Sequence, residues 1–132
     1  MAKYVFPALF EKEENGFYAI SFPDVPGCYT GGATLAEAIS MAEDALCLML
    51  YDREEDGEPI PVPTDMLAIP VQENAFVNLI ACDTVEYRKF YDNRAIKKTL
   101  TIPNWLNTLA DREGLNFSQV LQEGLKGRLG IQ

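Results

Sequence analysis

The stretch RAIKKTLTIPNW, residues 94–105, alternates apolar and polar side chains and then meets a proline. Successive side chains of an extended strand point to opposite faces, so Ile96, Lys98, Leu100 and Ile102 fall on one side and Lys97, Thr99 and Thr101 on the other. Pro103 stops the strand and suits the first turn of a helix, where its missing N–H costs nothing. Leu106, Leu109 and Ala110 then form one stripe, and Gly114 is a C-cap candidate. Asn116 is a good N-cap for a second helix, with Gln119 at the third helical position, Phe117 at the entry, and Val120, Leu121 and Leu125 inward. A strand and two short helices in about 40 residues cannot bury a core, because the strand has no sheet partner and the helices cannot enclose it. Such a unit has to dimerise to fold.

A twofold dimer supplies the missing strand. Two copies of KKTLTI pair antiparallel, and Leu100, Ile102, Trp105, Leu106, Val120 and Leu121 are the expected dimer core. Lys97, Thr99 and Thr101 then point outward from a two-stranded ribbon that fits the DNA major groove, where Lys donates to guanine and Thr reads either base edges or a thymine methyl. The amides at Asn116, Phe117 and Ser118 open a helix and suit a backbone phosphate. Lys98 points inward by the alternation and is expected to snorkel past the ribbon edge to solvent or phosphate. A register slip of one residue would bury Thr99 and Thr101 and expose Leu100 and Ile102, so it is rejected. A ribbon used only for dimerisation, with ordinary surface Lys and Thr, is the competing reading.

The charge is divided along the chain. Residues 1–86 carry three cations against sixteen acids, a balance of -13; residues 87–132 carry eight against four, a balance of +4; together these give the net -9. An asymmetry of this size points to different partners for the two halves.

In the N-terminal half, KYVFPALFE and FYAISFPDVPG are extended runs joined through Asn15-Gly16, a hairpin signal. CYTGG is a third short extended segment. Thr34 with Glu37 has capping-box spacing, and Leu35, Ala38, Ile39, Ala42, Leu46, Met49 and Leu50 recur at three and four, which predicts an amphipathic helix over about 34–52. REEDGEPIPVPTD, with alternate prolines, predicts an exposed, solvated acidic loop. AFVNLIACD predicts a strand buried on both faces. The order is β-β-β-α-β, a small α+β sandwich.

Histidine is absent, which removes the commonest general base and zinc ligand. Cys28, Cys47 and Cys82 show no metal spacing and are expected to be buried free thiols in a reducing compartment. Glu54, Glu55, Asp56 and Glu58, read in a loop beside Gly and Pro, lack the strand or helix anchoring of a metal nuclease. No cofactor, metal or catalytic residue is expected, and no apolar run is long enough to span a membrane; a cytoplasmic protein is expected.

Two patterns together resemble the HicB-type antitoxins over nearly the whole chain: YVFPALFEKEENGFYAISFPDVPGCYTGGATLAEAISMAEDAL, and NRAIKKTLTIPNWLNTLADREGLNFSQVLQEGLKGRL. The resemblance implies a partial, degenerate ribonuclease H-like N-terminal domain that blocks a small basic HicA-type toxin, an mRNA-cleaving ribonuclease with a histidine in its site. It also implies a C-terminal domain that binds the operon promoter and represses it. Some members carry a helix-turn-helix there; KKTLTIP with two short helices favours a ribbon-helix-helix. The expected domains are a toxin-binding domain over 1–86, a linker over 87–93 and a dimeric DNA-binding domain over 94–132. A stand-alone repressor with a ligand-sensing N-terminal domain and a metal-dependent nuclease remain as alternatives.

Overall fold

The computed structural model describes residues 3–131. The chain divides into two compact units between Arg94 and Ala95. The first carries six cations against seventeen acids, a balance of -11, and the second five against three, a balance of +2.

The first unit is a four-stranded antiparallel sheet under one long helix. Strands β1 (Lys3–Lys12), β2 (Tyr18–Ser21), β3 (Tyr29–Gly32) and β4 (Ala75–Asp83) lie in the order β3-β2-β1-β4. β1 and β2 form the expected hairpin, with Phe10 opposite Ile20. At its turn Gly16 has a φ of 87°, a left-handed conformation that disfavours any side chain. On the other edge β4 pairs with β1, setting Phe6 opposite Ile80 and Tyr4 opposite Cys82. Pro7 sits on β1 beyond the reach of β2, which pairs only with Leu9–Lys12, so its missing donor leaves no gap in that ladder.

Helix α1 (Leu35–Asp56) begins at Thr34, whose hydroxyl accepts from the Glu37 amide at 3.1 Å. Its Ala38, Ala42, Leu46 and Leu50 recur every fourth residue and bury against Phe6, Phe10, Ile20 and Ile80. Burial of each large side chain contributes about 1.5–3 kcal/mol. Gly32 lets the helix come this close: a Cβ there would lie 2.5 Å from the Ala38 amide nitrogen.

Three expectations change here. The helix does not stop at residue 52; Arg53–Asp56 continue it to a cap at Gly57, because nothing in DREED breaks a helix. Glu54, Glu55 and Asp56 are therefore helical, and the irregular segment begins at Gly57. β4 is not buried on both faces: Ile80 and Cys82 are buried while Leu79 and Ala81 are exposed, because only one side of this edge strand is covered by α1. Residues 87–91, expected in a linker, belong to helix α2 (Thr84–Tyr91), whose N-cap Asp83 accepts from the amides of Val85 and Glu86.

The second unit has helices α3 (Asn104–Arg112) and α4 (Phe117–Leu129). Pro103 precedes α3, and its carbonyl accepts from the Leu106 and Asn107 amides. Gly114 follows the α3 cap with a φ of 68°. Asn116 caps α4 as expected, its Oδ1 accepting from the Gln119 amide at 3.1 Å. Residues 92–103 carry no regular element. The strand expected over 94–102 is thus not formed in the single chain, where nothing supplies a second strand for its ladder.

Among the described residues no helix is long and apolar enough to cross a membrane.

Candidate functional site

No described residue of 95–131 is buried. Leu100, Ile102, Leu106, Leu109, Val120 and Leu125 all remain exposed, and Trp105 is 65% exposed. These side chains are not scattered. Leu100, Ile102, Leu106, Phe117, Val120 and Leu121 line one groove of about 530 Å³ that runs between the extended stretch and both helices. An apolar concavity of this kind, in a unit that buries nothing, is a surface suited to being covered.

Alternation along the extended stretch is visible in what lines the groove. Lys98, Leu100 and Ile102 do, whereas Lys97, Thr99 and Thr101 do not and are exposed. Lys98 therefore stands on the apolar side, as its position in the period demands. Trp105 is outside the lining, on the first turn of α3. At the α4 N-terminus, Asn116 occupies the Gln119 amide through Oδ1 and the Val120 amide through its carbonyl. The amides of Phe117 and Ser118 are left without a partner among the described residues, and Phe117 and Ser118 themselves border the groove.

The first unit holds a polar centre that the sequence did not suggest. Glu54, on the last turns of α1, accepts from the Tyr4 hydroxyl at 2.8 Å, the Thr84 hydroxyl at 2.9 Å and Arg88 Nη2 at 3.1 Å. Arg88 also pairs with Glu55 through Nη1, and its guanidinium lies 4.6 Å from the centre of the Tyr51 ring. Burial by itself would raise the Glu54 carboxyl, but hydrogen bonds, those donated by Tyr4, Arg88 and Thr84 among them, outweigh it and lower the group to about 2. Burial, and then the bond to Glu54, push the Tyr4 hydroxyl up to about 12. The solvated acidic loop expected here is instead an anchored carboxylate that ties β1, α1 and α2 together. A carboxylate already engaged by a guanidinium and two hydroxyls has little capacity left for a metal. Among the described residues no group of three or more His, Cys, Asp or Glu side chains is placed to hold one.

The three cysteines are free, with Cys28 and Cys82 buried and Cys47 half-buried. Burial raises the Cys28 thiol to about 11, which suppresses the reactive thiolate.

A family model described as "HicB_like antitoxin of bacterial toxin-antitoxin system" matches residues 6–119. "Antitoxin HicB 2" of Photorhabdus laumondii is 44% identical over 59 residues, which is 45% of this chain and 42% of that protein. "Antitoxin HicB" of Escherichia coli strain K12 is 38% identical over 61 residues, 46% of this chain and 44% of that protein. The chain thus spans less than half the length of these curated relatives. A solved structure titled "Toxin-Antitoxin complex from Streptococcus pneumoniae" is similar with a TM-score of 0.62 and 28% identity, covering 96% of this chain and 99% of that one.

Proposed function

The chain belongs to the HicB-like antitoxin family of bacterial toxin-antitoxin systems, and from that premise we propose that it neutralises a small basic mRNA-cleaving toxin and represses its own operon. Residues 1–94 bind the toxin. Residues 95–132 form a ribbon-helix-helix dimer that binds operator DNA. The observation that carries the second half is the groove: the inward residues of the alternating stretch meet both helices there, while Lys97, Thr99 and Thr101 stay outside it. A second copy of the stretch completes the ladder, covers Leu100, Ile102, Leu106, Val120 and Leu121, and turns those three outward residues into one face of a ribbon. Trp105 packs at the edge of the same dimer core. Lys98 and the amides near Asn116, Phe117 and Ser118 hold flanking phosphates. For the first half, a balance of -11 in the first unit suits a basic partner. A structurally similar protein is titled as part of a toxin-antitoxin complex, which supports the same reading.

Operator binding tests the ribbon. Lys97→Ala, Thr99→Ala and Thr101→Ala are each expected to weaken binding by about 1–3 kcal/mol and to relax the sequence preference, with the dimer intact by mass. Undiminished and equally selective binding by all three would remove the strand face from the reading. Removing residues 95–132 is expected to abolish operator binding and to leave toxin binding in place; the opposite pattern would reverse the assignment of the two units.

A further inference from the structure

The first unit carries a strip of four aromatic rings, the outer two of which lie in water. Tyr51 of α1 contacts Tyr87 of α2 with ring centroids 5.3 Å apart; Tyr87 contacts Tyr91 at 4.5 Å, and Tyr91 contacts Phe90 at 4.8 Å. Tyr51 and Tyr87 are half-buried at the junction of the two helices, whereas Phe90 is 78% and Tyr91 61% exposed. Two large rings left in water and touching each other are an unusual outlay for an eight-residue helix.

The inner end of the strip already binds a cation. Arg88 lies over the Tyr51 ring and pairs with Glu54 and Glu55, so one guanidinium meets a ring and two carboxylates. The same ingredients recur further out. Burial raises the Tyr87 hydroxyl, and Asp44 and Asp52 raise it further through their charge; burial and then Asp92 and Glu55 do the same at Tyr51. Asp52 directly follows Tyr51 in the chain and Asp92 directly follows Tyr91, and both are exposed. Of these, Asp92 meets only a long surface contact with Arg94, at 3.8 Å, which is weakly held. Exposed aromatic faces with exposed carboxylates beside them select arginine and lysine side chains.

We propose that Phe90 and Tyr91, with Asp52 and Asp92 beside the strip, form the surface on which basic side chains of the protein partner dock. The inference rests on the antitoxin reading for the existence of that partner. Val5, Leu79 and Ala81 form a further exposed apolar surface on the uncovered sheet face, where the strand register also places Lys3, Glu11 and Asp83.

The test is calorimetric titration of the full chain with a small basic HicA-type toxin whose site histidine has been replaced so that it no longer cleaves RNA. Replacing both rings, Phe90→Ala with Tyr91→Ala, is expected to weaken binding about tenfold or more, as for other interface aromatics. Asp52→Asn with Asp92→Asn is expected to weaken it less and to flatten its dependence on salt. Both changes lie at the surface, so the thermal unfolding of the first unit serves as the control for folding. Unchanged affinity in the ring variant overturns the proposal, as does loss of affinity in Leu79→Ser with the ring variant unaffected. A changed mass of the free ring variant with undiminished toxin affinity would assign the strip to contact between copies and likewise overturn it. If the unaltered chain fails to bind the basic protein at all, the antitoxin reading itself falls, a result distinct from the others.

Discussion

The two units use similar apolar side chains to opposite effect. In the first, Phe6, Phe10, Leu46 and Leu50 are wholly withdrawn from water; in the second, Leu100, Ile102, Leu106 and Val120 stay in it. Neither composition nor helix quality explains the contrast, since both units have capped helices with regular apolar stripes. What differs is layering. A four-stranded sheet under a 22-residue helix encloses its own core, whereas one extended stretch and two short helices enclose nothing. Self-sufficiency in the first unit leaves its surface free, while insufficiency in the second is what the proposed dimer answers, with association as part of folding.

The largest expected effects set the two cores against each other. Phe6→Ala is expected to destabilise the first unit by about 3–5 kcal/mol in urea unfolding followed by circular dichroism, at every protein concentration. Ile102→Ala and Leu106→Ala are each expected to cost about 2–4 kcal/mol, but in a transition whose midpoint moves with protein concentration, as it must where folding and association are one step. The single tryptophan, Trp105, lies in the second unit, so its fluorescence separates the two transitions. A concentration-independent tryptophan transition would break the comparison, because it would mean that residues 95–132 fold alone.

How much of this was legible depends on whether a signal was local. The Asn15-Gly16 hairpin, the Thr34 cap, the Asn116 cap and the inward position of Lys98 all follow from a few adjacent residues, and the structure places each as expected. Helix α2 was missed because it has eight residues and no long apolar stripe. It is held by tertiary contacts of Arg88 with Glu54 and Glu55, partners 34 and 33 positions away. The Glu54 centre was missed for the same reason: nothing in DREED tells a buried carboxylate from its solvated neighbours until Tyr4 and Thr84 arrive from elsewhere. A local signal for the ring strip did exist in YRKFY, where Tyr87, Phe90 and Tyr91 stand at three and four spacing. Groove residues such as Leu100 and Ile102 were readable in advance because an apolar period with no possible intrachain partner is itself informative.

That centre gives the intermediate prediction. Glu54 has its carboxyl lowered from an ordinary 4.5 to about 2 in the folded state. Its contribution to the first unit is therefore fully present above about pH 4.5 and is lost as pH falls from there through 2. Glu54→Gln is expected to cost about 2 kcal/mol near neutral pH, since it strips a charged partner from Arg88. The difference between variant and parent should shrink as the parent is acidified across that window. The tryptophan transition of the second unit should not follow, which sharpens the comparison; a gap that stays constant down to pH 2 would show that Glu54 is not held by these bonds.

The smallest effects make the cleanest contrast, because the same hydrogen bond occurs once in each unit. Thr34 Oγ1 caps α1 and Asn116 Oδ1 caps α4, each accepting the amide three residues on at 3.1 Å. Thr34→Ala and Asn116→Ala each remove one such bond, at a cost of about 1 kcal/mol. Equal chemistry should then give unequal readouts. Thr34→Ala lowers the urea midpoint of the first unit by the same amount at micromolar and at hundredfold higher protein. Asn116→Ala lowers the second unit's midpoint too, but raising the protein concentration restores it, because mass action acts only where a partner completes the core. In the proposed dimer the cap is present in both copies, so its loss is felt twice per folding event, and the concentration needed for recovery measures that doubling. If both variants behaved alike at all concentrations, the groove of the second unit would not be the half-core that the proposed dimer requires.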